Sequence, residues 1–151
     1  MKRIIAFLLL FGVGFGVKIG SVAPVLNYDG LEKVVFVTAD KVEDEDLQII
    51  QNGNLFYVSV LAEKAKEAQE KLSNIKGYCL YFNKETDSEA IIDRFVDFRA
   101  SESEVGDSRV ITGYNTRFAD FRYVDGKKIN VQIAFTQDAI IVGFPLILTG
   151  F

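Results

Sequence analysis

The chain contains no histidine, which removes the usual general base near neutral pH and with it Ser-His-Asp, Cys-His and His-Glu-x-x-His chemistry. Its single cysteine, Cys79, sits in the apolar run Tyr78–Phe82. With no imidazole to draw off its proton it reads as a small buried hydrophobe, not a nucleophile. Carboxylates are what remain. Asp93, Asp97, Glu102, Asp120 and Asp138 could in principle furnish the acid pair of a glycoside hydrolase, ~5–10 Å apart, but no aromatic motif of fixed spacing accompanies them. The run Glu43, Asp44, Glu45, Asp46 offers the oxygen ligands that calcium takes. Consecutive acids point in different directions, however, and no glycine stands where a calcium loop turns, so a solvated charge run is the better reading. Gly12, Gly14 and Gly16 echo a dinucleotide loop but have no strand before them and no helix after. The pattern therefore implies no catalytic, cofactor or metal site. Tyr57, Tyr78, Tyr81, Tyr114 and Tyr123 alternate with core positions and read as cross-strand packing; an exposed cluster of them would instead make a binding surface.

Whatever these residues do must be positioned by one domain. A chain of 151 residues that is 49% hydrophobic and 13% aromatic has enough apolar surface for a single core. Lys33–Val42 is β-branched and reads as a first strand ending in the acidic run. Leu47–Ile50 and Leu55–Leu61 flank Asn52-Gly53, a hairpin signal. In Ala62–Leu72 the period changes, with Ala62, Ala65, Ala68 and Leu72 forming a narrow apolar stripe on a charged helix. Tyr78–Phe82 is a short apolar strand. Thr86 and Glu89 have capping-box spacing ahead of Ile91, Ile92, Phe95 and Val96, which predicts a second helix. Glu102–Asp107 is expected to be a solvated connection.

The remainder is strand-rich: Arg109–Tyr114, Phe118–Tyr123, Lys127–Thr136 and Ala139–Leu148. Parity favours a three-residue loop, Val124-Asp125-Gly126, that pairs Tyr123 with Lys127, Phe121 with Ile129 and Ala119 with Val131. A two-residue loop would set Arg122 opposite Ile129 and Asp120 opposite Val131, mixing charge into an apolar face. The fold class is α+β, a curved antiparallel sheet with two helices on one face, occupying residues 24–151.

Residues 1–16 carry the parts of an export signal: Lys2 and Arg3, an apolar run from Ile4 to Val17, then small residues at Gly14 and Gly16. The signal could extend to about residue 23. Its apolar run is shorter than the ~20 residues of a spanning helix, which favours a removable signal over an anchor. Losing Lys2 and Arg3 and no acid takes the net charge from -4 to -6. No cysteine stands at the end of the signal, so no lipid anchor is expected, and a lone Cys79 forms no internal disulfide.

The C-terminal third carries a resemblance. Thr112-Gly113-Tyr114, then Lys128-Ile129-Asn130-Val131-Gln132-Ile133-Ala134, then Val142-Gly143-Phe144-Pro145-Leu146-Ile147 resembles the closing pattern of YwmB-type proteins. These are exported proteins of Gram-positive bacteria, described as TATA-box-binding-protein-like in fold and without an established activity. The resemblance covers roughly residues 108–151 and implies a location outside the cytoplasm. It makes Thr112, Gly113, Tyr114, Asn130, Gln132, Gly143 and Pro145 family-signature positions of structural character, with no functional residues to carry over. Phe144 before Pro145 departs from the family, where a small or hydroxyl residue is expected.

Together these readings describe an exported module that binds a protein or envelope component. The alternatives are a small extracytoplasmic enzyme using a carboxylate pair, or a membrane-tethered structural protein that touches the membrane only through an uncleaved N-terminal segment. Nucleic acid is not an expected partner: the net charge repels a polyanion, and Arg109, Arg117, Arg122, Lys127 and Lys128 are interleaved with Asp107, Asp120, Asp125 and Asp138. Fold likeness alone transfers no function. The export reading is checked by the intact mass of the secreted protein, which should lack about 16 N-terminal residues; a cell-associated product retaining Met1 would overturn it.

Overall fold

The computed structural model describes residues 28–118 and 120–150. The expected signal at 1–16, its extension to 23, the glycines within it and Ala119 lie outside the described residues. Strand β1 is Leu31–Thr38, β2 Gln48–Asn52 and β3 Leu55–Leu61; a 3-10 turn at Ala62–Lys64 leads into helix α1, Ala65–Lys71. Then come β4 (Ile75–Asn83), α2 (Ser88–Phe95), β5 (Phe98–Val105) and β6 (Ser108–Tyr114). Short strands β7 (Arg122–Val124) and β8 (Lys127–Ile129) precede β9 (Val131–Phe135) and β10 (Ala139–Phe144). The protein is α+β: eight strands form one antiparallel sheet in the order β2-β3-β1-β4-β10-β9-β6-β5, while β7 and β8 form a separate ribbon.

Side-chain alternation decides what each face of this sheet buries. Val34 and Phe36 of β1, Leu80 and Phe82 of β4, Ile111 of β6 and Val142 of β10 share one cluster with Ala65 and Ala68 of α1 and with Ile91, Ile92 and Phe95 of α2. Both helices therefore cover the same face. Phe36, Phe82 and Phe95 are fully buried there, and each such side chain contributes ~1.5–3 kcal/mol by leaving water. The alanine stripe of α1 lets its backbone approach the sheet closely. On the other face Cys79, Val110, Ala134 and Ile141 cluster with Ile147, because the chain after β10 folds back across the sheet. The Phe144-Pro145 peptide bond is cis. Gly143 is the close approach: an added Cβ would lie 2.5 Å from the Ile147 nitrogen and the Leu146 carbonyl group.

Several expectations are corrected. Helix α2 is capped by Asp87, not opened by Thr86: the Asp87 carboxylate accepts from the N–H groups of Glu89 and Ala90 at 3.0 and 3.3 Å, an arrangement that stabilises a helix by ~1 kcal/mol. In the first hairpin Asn52 pairs with Leu55, so Gly53 and Asn54 make the turn, one residue later than read. β1 ends at Thr38, four residues early, where its hydroxyl donates to the Ser73 carbonyl and accepts from the Asp40 N–H. Most of Glu102–Asp107 is strand: β5 forms a sheet edge, exposed along most of its length and therefore free to be polar.

The loop at Asp125-Gly126 has two residues, not three. Arg122 pairs with Ile129, Tyr123 with Lys128 and Val124 with Lys127, and both turn residues have positive φ, 49° and 76°. A three-residue loop would follow only if one hairpin ran from 118 to 136. Instead the strand breaks at Asn130, β9 pairs with β6 and β10, and the register of the ribbon is uncoupled from the alternation of the sheet. Likewise Phe118–Tyr123 and Ala139–Leu148 are strand only over Arg122–Val124 and Ala139–Phe144.

Gly143→Ala should cost at least ~2–3 kcal/mol in urea denaturation, because backbone must move to admit the Cβ. Gly126→Ala, where a Cβ meets nothing within 4 Å, should cost only the ~1 kcal/mol of its left-handed φ. Equal losses would mean that the segment after β10 does not lie against Gly143.

Candidate functional site

Of the positions singled out by the C-terminal resemblance, Thr112, Gly113, Asn130, Gln132 and Gly143 come together around the break between β8 and β9. Asn130 is buried, accepts from the Asn115 N–H at 2.7 Å, and donates to the carbonyls of Asn115 and Phe118 at 2.9 and 3.3 Å. Asn115, buried in turn, donates to the Phe95 carbonyl at 3.0 Å and accepts from the Arg117 N–H. The two amides thus fix the 115–118 loop onto the end of α2. Two residues further, Gln132 accepts from the Ile147 N–H at 3.2 Å and its amide reaches Thr112 at 3.4 Å, which fastens the returning segment to the sheet. Gly113 lies where an added Cβ would meet the Phe98 carbonyl at 2.7 Å, so β5 and β6 can close on one another.

The chemistry-bearing residues are dispersed. Cys79 is fully buried on β4. Burial pushes its thiol up, opposed by hydrogen bonding from Thr149 and from the backbone at 148 and 149, which is the setting of an inert thiol. Asp97 receives the N–H and hydroxyl of Thr116 at 2.7 and 2.8 Å; these bonds hold its carboxyl below the usual range. Glu102 is engaged by Arg109 and Arg99, Asp93 is exposed on α2 and Asp138 is exposed in the β9–β10 turn. In the acidic run Glu43 pairs with Lys41 and Asp44 lies 4.0 Å from Lys71. Among the described residues no three Asp, Glu or Cys side chains are grouped to hold a metal ion, and no helix is long and apolar enough to cross a membrane.

The tyrosines separate into three settings. Tyr78 is core, its hydroxyl without a hydrogen-bond partner among the described residues. Tyr57 and Tyr81 line an open depression of about 330 Å³ on the face opposite the helices, with Lys33, Gln48, Ile50 and Asn52. There the Lys33 ammonium lies 4.3 Å from the Tyr81 ring centre. Burial raises the Tyr81 hydroxyl to about 12, and that hydroxyl bonds Thr149 at 2.6 Å.

Tyr114 and Tyr123 belong to an exposed corner at the far end of the sheet. Phe98 is registered opposite Tyr114. The Tyr114 and Phe121 rings are 6.5 Å apart and those of Phe121 and Tyr123 5.4 Å, both pairs nearly perpendicular. Phe98 and Tyr123 are 65% and 64% exposed, more than packing alone would leave. Three cations frame them. Lys128 stands 4.3 Å over the Phe121 ring, Lys127 donates to the Ala100 carbonyl at 2.7 Å, and Arg99 and both lysines line a recess of about 350 Å³ with Phe98 and Tyr114. Phe98 is not marked by the sequence, and Phe121, expected opposite Ile129 on the apolar face, is instead exposed while Arg122 takes that pairing. Their exposure depends on β5 being an edge strand and on the ribbon folding beside it.

Comparisons with protein-family models, with curated proteins and with solved structures find no match to this chain.

Asn130→Ala strips partners from one buried N–H and two carbonyls, and should cost ~2–4 kcal/mol in denaturant melts. A loss below ~1 kcal/mol would mean that the 115–118 loop is held by other contacts.

Proposed function

We propose that this chain is an exported, YwmB-type binding module that recognises a protein with an acidic surface through the Phe98–Tyr123 corner. The observation that carries the reading is a cluster of three exposed aromatics, Phe98 and Tyr123 strongly so and Phe121 at 38%, framed by Arg99, Lys127 and Lys128 on a chain whose net charge is -4. Exposed apolar clusters rimmed by charge mark interaction surfaces, and aromatic residues with arginine dominate the energetics of protein interfaces. The near-perpendicular rings favour a protein partner: they offer ridges and a recess for side chains, not the flat platform on which a sugar or base would stack. An α+β domain with both helices on one face of an antiparallel sheet is also what the resemblance implies for a TATA-box-binding-protein-like fold outside the cytoplasm. The carboxylate-pair alternative is less favoured, since Asp97 and Glu102 are already taken up by Thr116 and by Arg99 and Arg109.

Immobilised full-length protein should retain an acidic partner from envelope extract. Retention should fall at least ~10-fold with Tyr123→Ala or with Lys127→Glu/Lys128→Glu, and should weaken with added salt. Lys66→Glu, on the exposed side of α1, should leave it unchanged. A labelled DNA duplex should bind no tighter than ~10⁻⁴ M at physiological salt. Retention insensitive to the corner variants, or micromolar duplex binding, would defeat the proposal.

A further inference from the structure

The two edges of the sheet differ in kind. Edge strand β5 carries Arg99, Glu102 and Glu104, the charges with which proteins keep an edge from pairing. Edge strand β2 reads Gln-Ile-Ile-Gln-Asn: no charge, no proline, and Ile50 61% exposed. Among the described residues only β3 pairs with it.

Its register shows what it presents. Asn52 and Leu55 close a two-residue turn, so they are a hydrogen-bonded pair, and by alternation Ile50 and Gln48 also direct their backbone groups toward β3. The N–H and C=O groups of Ile49 and Gln51 then point outward. Gln48, Ile50 and Asn52 share the face of the open depression, while Ile49 packs against the helix-side core.

We propose that β2 pairs antiparallel with β2 of a second copy, about a twofold axis at Ile50, to make one continuous sheet. The segment is self-complementary in that register and in few others. Ile49 of each chain exchanges backbone hydrogen bonds with Gln51 of the other. Ile50 meets Ile50 as a non-hydrogen-bonded pair, with Cα atoms ~4.5 Å apart. On the same face Gln48 meets Asn52 on either side, amide against amide, each able to donate and accept. The acidic run does not oppose the pairing: it lies before Gln48, where β2 begins, and the two Gln48 residues are already ~13 Å apart along the paired strands, beyond the ~8 Å screening length of physiological salt. The two depressions meet across the axis, so each copy adds Ile50 and Asn52 to the rim of the other's recess. This rests on the β2 edge alone and is independent of the aromatic corner.

Sedimentation velocity of the full-length chain at tens of micromolar should show a species of twice the 16.9 kDa chain mass. Ile50→Lys places like charges face to face and should weaken the association at least 10-fold; because Ile50 is 61% exposed, its melt should match the wild type once both are diluted to monomer, while at tens of micromolar the wild type melts higher by mass action. Ile50→Cys should form a disulfide-linked dimer on mild oxidation, since ~4.5 Å between Cα atoms permits the bond. Gln48→Cys, facing Asn52 and not itself, should not. A monomeric wild-type chain overturns the proposal, as do an association that Ile50→Lys leaves intact and cross-linking through Gln48→Cys as efficient as through Ile50→Cys.

Discussion

The return of the chain across the sheet after β10 depends on Gly143 having no side chain. Leu146 and Ile147 backbone atoms occupy the space where a Cβ would stand, and from that contact the open face acquires its cover. Ile147 completes the cluster around Cys79, Val110 and Ala134, and its N–H is satisfied by Gln132. Thr149 then reaches the hydroxyl of Tyr81 and the sulfur of Cys79. Gly77 makes the same accommodation from β4, where an added Cβ would meet the Phe144 carbonyl oxygen at 2.7 Å. A sheet with both helices on one face would leave a broad apolar area wet on the other; here a short segment and two glycines cover its centre.

That cover does not reach the two ends of the sheet, and there the exposed groups collect. At the β2 end Ile50 and the depression stay open. At the β5 end the ribbon β7–β8 projects Phe121 and Tyr123 beside Phe98. The Asn115–Asn130 pair makes the second end possible, because Asn130 breaks what would otherwise be one long strand from 127 to 136. Its side chain satisfies the loop groups that the break exposes. Without that exchange, freeing the ribbon from the sheet would strand buried N–H and C=O groups.

The sequence made the existence of most elements legible because the apolar period is strong where burial is complete, as in β1, β4 and β9. It was weakest where a local interaction overrides the period. Asn130 sits mid-pattern in a clean alternation from Ile129 to Phe135, so nothing in spacing marks it as a break; only its partners across fifteen residues do. For that reason side-chain parity does not set the Asp125-Gly126 loop: it constrains a long hairpin, but not a ribbon of three pairs. At Glu102 and Glu104 the polar run is compatible with either a loop or an edge strand, and the deciding fact is the pairing with β6. The corner was half legible: Tyr114 and Tyr123 were candidates, but Phe98 and Phe121 became surface residues only through tertiary placement.

The separation of the two ends has a mechanical consequence. Seven strand spacings of ~4.8 Å put β5 about 34 Å from β2. Two copies joined at β2 would therefore hold their aromatic corners ~70 Å apart at opposite ends of one continuous sheet. A sheet joined by backbone hydrogen bonds resists bending far better than a flexible linker, so this spacing would be largely fixed. Two weak sites held at fixed separation bind strongly only to a partner that repeats at a matching interval, because effective concentration collapses when the span is wrong. The same geometry disfavours both corners engaging a single small globular partner. If the β2 pairing holds, the corner's natural counterpart is an array or an extended assembly, and its affinity for one isolated acidic domain need only be modest.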